Sequence, residues 1–312
     1  MNTPWYNVAV VVVWLASMTW LITQKLLPSM LVGEPPNYQR ILEAQHHDPV
    51  VAWRLSCNGE EIGWAYSETT LLPGNLTTLN SHVFFERLPL ERLLPKWFQG
   101  LLLPSGVGLR QLKLQMEVRT HLTFDPLHRL CQFDSRVRFP PLSDAMRIHG
   151  KADEGRLQLS IHYLDFSREF DVPLPRNVLF SESNSPQNKL PGLREGQTWT
   201  VQVYSPFANP SSPVEILQAT VEGKEPVIWE DRIATAWVVV FRSEPGRTGS
   251  RTQVPKGRMW VLMDGTVIKQ EVGLFDSRLV FSRMSPEVTR ELAEKVAQLD
   301  SQSKGSEVGV RP

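Results

Sequence analysis

Apolar and polar residues alternate along residues 112–139, and this alternation is the feature that most constrains the fold. From Leu112 to Phe124 the even-numbered positions are mostly apolar and the odd-numbered positions are polar. A turn at Asp125-Pro126 follows, and residues 131–139 alternate in the same way. A period of two places one face of a strand in a core and the other in solvent. The segment therefore predicts a long antiparallel hairpin.

Shorter runs of the same kind predict strands along most of the chain. Turn signals at Asn58-Gly59, Pro73-Gly74 and Asp264-Gly265 separate several of them. Strands as long as the one from Leu112 twist and coil strongly. We therefore expect a mainly β protein, built as a curved antiparallel sheet or a partly open barrel. The remaining predicted strands are 51–57, 62–71, 76–85, 157–163, 199–203, 217–221, 236–241 (buried on both faces), 259–263, 267–274 and 278–283.

Two segments interrupt this strand pattern. Ser285-Pro286-Glu287 combines an N-cap residue, a proline at the first helical position and an acid in the first turn. It predicts a C-terminal helix that packs on the sheet through an apolar stripe at Val288, Leu292, Val296 and Leu299. Segment 88–103 is rich in leucine but is broken by Pro95 and Gly100. It is either a buried connection or an apolar lid over a groove.

The N-terminal segment predicts a membrane anchor. Residues 1–24 carry no charged side chain, and the stretch from Trp5 to Ile22 is long enough as a helix to cross a hydrocarbon core of roughly 30 Å. The segment lacks a basic start and a small-residue cleavage site, which favours an uncleaved transmembrane helix at 1–25 over a cleaved signal peptide or a buried helix. We expect a fold in which this helix precedes the β domain.

The rest of the chain is expected to lie outside the cytoplasm. Prolines in 26–49 predict an extended stalk. Residues 50–300 are expected to form a β-rich extracytoplasmic domain, either undivided or as two halves split near residue 190. The polar residues 301–312 predict a disordered tail. Lys25 argues against this orientation under the positive-inside rule, but long domains are exported largely regardless of charge.

Charge and cysteine content narrow the functional classes. The chain has 33 basic and 33 acidic residues, so no basic excess attracts nucleic acid. Cys57 and Cys131 both lie in predicted strands, and their spacing leaves open one disulfide or two thiols. The sequence contains no serine-nucleophile elbow, phosphate-binding loop or His-Glu-x-x-His motif. We therefore expect a protein that is not an enzyme and has no cofactor or metal site.

Two resemblances extend this interpretation. The segment 51–67, with Trp53, Gly59 and Ile62-Gly63-Trp64, resembles the strand pair that precedes the catalytic region of bacterial transglutaminase-like proteins. No Cys-His-Asp region follows it here, so that activity is not implied.

The segment 193–284 resembles uncharacterised bacterial envelope proteins of the DUF3108 type through Gly196-Gln197-Thr198-Trp199 and Asp264-Gly265. Those proteins resemble the lipoprotein carriers LolA and LolB, whose curved sheet is covered by helices and holds acyl chains. This resemblance implies a curved sheet and an envelope location.

Two functional hypotheses follow. In the first, a membrane-tethered module binds a lipid or another hydrophobic ligand between a concave sheet face and the segment 88–103, because such sites are concave and largely apolar. In the second, the sheet encloses a filled core and the protein is a scaffold that contacts another envelope protein. The first hypothesis predicts ligand-binding residues at Trp97, Phe98, Leu101, Leu102, Leu114, Met116 and Val118.

Overall fold

A single sheet of 15 strands dominates the computed structural model. The structure describes residues 4–22, 36, 38–45, 49–88, 114–139, 142–153, 155–163, 166–173, 179–182, 186–204, 214–243, 254–274 and 277–307. The strands are β1 (Val50–Cys57), β2 (Glu60–Leu72), β3 (Leu76–Leu88), β4 (Leu114–Phe124), β5 (Leu130–Phe139), β6 (Leu142–Asp153), β7 (Arg156–Tyr163), β8 (Phe166–Pro173), β9 (Leu179–Glu182), β10 (Thr198–Tyr204), β11 (Val214–Trp229), β12 (Arg232–Ser243), β13 (Gly257–Leu262), β14 (Val267–Leu274) and β15 (Ser277–Arg283).

The chain enters and leaves this sheet at its centre. The strand order is β8-β7-β6-β5-β4-β3-β2-β1-β15-β14-β13-β12-β11-β10-β9. Strands β1 to β8 therefore run outward to one edge, and β10 to β15 run back from the other edge until β15 pairs with β1. Trp53 lies opposite Arg283 in that antiparallel pair. All named strand pairs are antiparallel except β9 with β10, which confirms the predicted mainly antiparallel sheet.

The predicted hairpins and faces are confirmed where the structure describes them. Strands β4 and β5 pair, with Val118 opposite Val137 and both buried. Gln115 is exposed, as the alternation requires. Strands β13 and β14 pair around the turn at Asp264-Gly265. Side-chain alternation therefore identified the buried face of these strands correctly.

Side chains on the inner face of the sheet form one hydrophobic core, here called the inner core. It takes residues from β1 to β7 and from β10 to β15, so the inner faces of both halves belong to one cluster. Its largest fully buried members are Trp53, Phe85, Phe124, Phe133, Phe139, Phe281, Ile41, Leu42, Leu55 and Met116. A sheet whose two halves share one core must curve, because a flat sheet of this width would leave its edges apart.

The opposite face of the second half carries a smaller apolar cluster, here called the outer cluster. It comprises Ala236, Val238, Val240, Trp260 and Ile268, with Val227, Trp229 and Leu262 packed against it. Its β12 residues alternate with Val239, which belongs to the inner core. Strand β12 is thus buried on both faces, as its continuous apolar run predicts.

A polar network ties the connection at 186–193 to the centre of the sheet. The Asn188 side chain accepts a hydrogen bond from Trp53 Nε1 (3.3 Å) and donates one to Ser67 Oγ (2.7 Å). The backbone of Leu190 donates to the carbonyl of Gly265 (2.7 Å). Gly265 has φ +84°, and a Cβ there would lie 2.7 Å from Pro191 Cα. Only glycine fits that turn, because both the backbone angle and the close approach exclude a side chain.

Helix α1 (Pro4–Leu21) corrects the prediction of a transmembrane anchor. In the described part of the chain, no helix combines the length and the apolar character that crossing a membrane needs.

Two further segments differ from the prediction. The expected stalk contains helix α2 (Tyr38–Gln45), whose Ile41 and Leu42 are buried in the inner core. This helix is amphipathic, and its apolar face overrides the extended character that the flanking prolines suggest. Helix α3 (Pro286–Glu307) begins where predicted and packs against β1 and β2, but it continues into the expected tail. Its Val296 is buried, whereas Val288 is exposed.

Cys57 and Cys131 are not joined by a disulfide. Cys57 is buried in the inner core, and Cys131 is partly buried at the start of β5. Burial raises the pKa of the Cys131 thiol, and the nearby Asp125 carboxylate adds to this effect. A raised pKa keeps that thiol protonated and unreactive at neutral pH.

Candidate functional site

The predicted ligand-binding residues fall into two groups. Trp97, Phe98, Leu101 and Leu102 lie outside the described residues, as does the side chain of Leu114. Met116 and Val118 lie on the inner face of β4, and each is about 1% exposed. Both pack within the inner core rather than along an open cavity. At these two positions the concave face is filled by the side chains of the protein itself.

An open groove occurs instead on the outer face of the second half. It has a volume of about 310 Å³ and lies where the tip of the β11–β12 hairpin meets β14, β15 and the start of α3. We call it the outer groove. Its lining residues are Val227, Ile228, Trp229, Glu230, Ile268, Lys269, Ser282, Arg283 and Ser285.

One side of the outer groove is apolar. Val227 and Trp229 project from the end of β11 and pack against the outer cluster, which also contains Ile268. The main body of that cluster is held by cross-strand neighbours, such as Val238 opposite Trp260. The apolar side of the groove is therefore the edge of the outer cluster, and contacts with that cluster hold its side chains in place.

The other side of the groove carries a lysine, Lys269. Lys269 Nζ lies 4.5 Å from the centre of the Trp260 ring and 2.8 Å from Glu271 Oε1. Trp260 Nε1 donates a hydrogen bond to Glu225 Oε2 (3.2 Å), which fixes the ring below the lysine. Arg283 also borders the groove, but it lies opposite Trp53 on the inner face of β15, where its Nη1 donates to the backbone carbonyl of Asn188 (3.2 Å). Lys269 is thus held in place by the Trp260 ring and by Glu271, so its binding to an anionic group would cost little side-chain entropy.

The hairpin tip that borders the groove has a strained turn. Glu230 and Asp231 have φ values of 48° and 58°. Two positive φ angles match the two-residue turn that favours Asn-Gly, and side chains larger than glycine are unfavourable there. Such strain persists only where surrounding contacts fix the backbone, and it is enriched at functional sites.

Sequence reasoning missed the outer groove because it ended the β11 strand too early. The bulge at Gly223 breaks the alternation of Leu217, Ala219 and Val221, and the strand continues to Trp229 on a shifted register. Glu230-Asp231 carries no recognised hairpin signal. The available clue was the run Val227-Ile228-Trp229 followed by Ile233, which has the composition of a hairpin end.

The largely buried carboxylate of Glu117 lies on the outer face of the first half. Burial acts to raise the pKa of Glu117, but hydrogen bonds and charge from His82 and Arg119 outweigh it and lower the value to about 2. The Glu117 carboxylate lies 2.7 Å from His82 Nε2 and 2.6 Å from Arg119 Nε. This cluster is an ion-pair network of the kind that orients charged side chains.

No cluster of three or more metal-binding side chains occurs among the residues that the structure covers. The His46-His47-Asp48 segment lies outside those residues.

Comparisons with known proteins give structural neighbours but no family. No family model matches the chain, so neither the DUF3108 nor the transglutaminase-like resemblance gains support. No curated protein matches it either.

Among solved structures, the chain is similar to a β-barrel-like protein of the DUF1849 domain of unknown function from Brucella abortus. The identity is 10% and the TM-score 0.46, over 76% of this chain and 95% of that one. A DUF1089 family protein from Pseudomonas aeruginosa has 15% identity and a TM-score of 0.32, over 68% and 90%. The hypothetical lipoprotein YmcC from Escherichia coli has 12% identity and a TM-score of 0.28, over 76% and 87%.

Proposed function

We propose that this protein is a non-catalytic binding module of the bacterial cell envelope. Its ligand has an apolar part and an anionic group, as a fatty acid or another lipid does, and it occupies the outer groove. The carrying observation is that one groove places the apolar rim of Trp229 and Ile268 beside an anchored cation, Lys269. Ligand sites are typically apolar surfaces with a few fixed polar groups, which is the composition found here.

The size of the groove fits one short chain rather than a large ligand. Its volume of about 310 Å³ is at the lower end of the range for small-molecule sites. The proposal places the ligand in the outer groove rather than on the concave inner face, because Met116 and Val118 are packed within the inner core. Placement in the envelope is part of the proposal, and the exposed Trp5, Trp14 and Trp20 of α1 support contact with lipid.

A scaffold is the second candidate, and the end of the β11–β12 hairpin favours it. Ile228 and Ile233 are cross-strand partners that are 81% and 82% exposed. Isolated exposed apolar residues are common, but a paired set at a projecting tip resembles the anchor of a protein interface. The inner core is filled by side chains at Met116 and Val118, which also supports a scaffold.

Titration with dodecanoate and with dodecanol tests the ligand hypothesis. Calorimetry should detect binding of dodecanoate to the full chain, and Trp229→Ala should weaken it by about tenfold because roughly half of a buried indole's contribution is lost at the rim. Lys269→Gln should weaken dodecanoate binding and leave dodecanol binding unchanged, since only the carboxylate interacts with the cation.

Ile233→Ser is the matched control, because it removes an exposed apolar side chain that does not line the groove. It should leave dodecanoate affinity unchanged. Absence of dodecanoate binding by the wild type overturns the ligand hypothesis. If, in addition, the wild type self-associates in sedimentation experiments and Ile233→Ser abolishes that association, the scaffold hypothesis replaces it.

A further inference from the structure

Basic side chains form one continuous row across the outer face of the first half. In register, His82 lies opposite Arg119, Arg119 opposite Arg136, Arg136 opposite Arg147, and Arg147 opposite His162. We call these five residues the basic row. Adjacent strands are about 4.8 Å apart, so the row crosses β3 to β7 over about 19 Å.

The burial pattern fixes the face on which the row lies. The chain neighbours Val83, Val118, Val137 and Ile148 all belong to the inner core. Because successive side chains of a strand point to opposite faces, the basic row lies on the outer face. Arg136, Arg147 and His162 are exposed there, while His82 is buried at one end of the row.

The fold itself does not require this row. Like charges directly opposite each other on adjacent strands destabilise a sheet. Any polar residues at Arg119, Arg136 and Arg147 would keep the alternation that buries the inner face, yet three arginines occupy successive strands. A feature that lowers stability and is not needed for the fold indicates a functional role, such as binding a partner.

Carboxylates contact two of the arginines in the row. Glu117 contacts Arg119, and Asp134 lies 3.5 Å from Arg136 Nε. Arg138, opposite Glu117 in the next row, adds a further cation. Among the described residues, this part of the face thus carries four arginines, and the Glu117 and Asp134 carboxylates lie beside two of them. Since the whole chain has 33 basic and 33 acidic residues, the attraction for anions is local to this face.

We propose that the basic row is a docking surface for the phosphate groups of an anionic lipid membrane. A guanidinium group pairs with phosphate through two parallel hydrogen bonds, which explains arginine rather than lysine at these three strands. The row lies on a broad open face, which suits a plane of many phosphates. A single-stranded nucleic acid would instead be bound in a groove that follows its backbone.

Vesicle binding by the full chain tests this proposal. Sedimentation with vesicles of phosphatidylcholine alone, and with equal parts of phosphatidylcholine and phosphatidylglycerol, gives a ratio of anionic to neutral binding. The ratio removes any contribution from apolar contacts such as those of α1. Each basic residue near an anionic surface contributes about fivefold to binding, so Arg136→Gln/Arg147→Gln should lower the ratio about 25-fold. The ratio should also fall as salt is added.

Arg232→Gln/Arg258→Gln is the matched control, because both arginines are exposed on the second half of the sheet. It removes the same charge and should leave the ratio unchanged. A wild-type ratio near one overturns the proposal, as does an equal loss in the control pair. Tight binding of soluble heparin without preference for anionic vesicles also overturns it, since the partner would then be a soluble polyanion. Neither variant pair changes a lining residue of the outer groove, so this test is independent of the fatty-acid titration.

Discussion

The two halves of the sheet share one inner core but have different outer faces. On β3 to β7 the outer face carries charged rows, with Arg119, Arg136 and Arg147 in register. On β11 to β14 it carries the outer cluster around Trp260. The inner face must be apolar because it packs around the core. The outer face can be either charged or apolar. The outer faces, rather than the shared core, therefore distinguish the two halves chemically.

The largest effects should come from the inner face, where the halves are alike. Val118→Asp in the first half and Val239→Asp in the second should each lower the free energy of unfolding by roughly 3 kcal/mol or more, because each buries a carboxylate in the inner core. Urea denaturation measures both. Gln115→Asp, on the exposed face of β4, should stay within about 0.5 kcal/mol of wild type. Equal losses at Gln115 and Val118 would mean that the face is wrongly assigned.

Next in size is a test of the outer faces themselves. Trp260→Ala should cost roughly 3 kcal/mol, because it empties the centre of the outer cluster and removes the contact with Lys269. Arg136→Ala, at an exposed position of the basic row, should change stability by about 0.5 kcal/mol or less. The same urea experiment compares the two variants. Similar losses for both would remove the distinction between a packed and a charged outer face.

The last test is the pH dependence that Glu117 gives to the first half. The pKa of Glu117 is lowered from 4.5 to about 2 in the folded protein. A lowered pKa gives stability that is present above 4.5 and is lost as the pH falls from 4.5 towards 2. Glu117→Gln should therefore flatten the fall of melting temperature in that range. The exposed Glu60→Gln is the control, and it should retain the wild-type profile. A Glu117→Gln profile as steep as wild type would refute the assignment.

Sequence patterns predicted local elements, such as hairpins, better than they predicted which strands lie next to each other in the sheet. The β4–β5 and β13–β14 hairpins were predicted because each is encoded within a short stretch that contains both strands and the turn. Strand β6 was not predicted, although Met146, Ile148 and Gly150 alternate with basic residues there. Gly150 interrupts the apolar pattern, and a Cβ at that position would lie 2.9 Å from the Leu159 side chain. The close packing at this position leaves no room for a side chain, so a glycine interrupts the alternation and the strand was missed.

The sequence by itself determined the β class, the inward and outward faces of most strands, and the start of the C-terminal helix, because alternation and capping act over a few residues. Only the tertiary structure decided that β15 returns to β1, that α2 enters the core, and that the outer groove forms beside Trp229. It also decided that three arginines from separate strands share one row. Such arrangements depend on pairings between residues far apart in the chain, and period-two alternation carries no information about which strand becomes the neighbour.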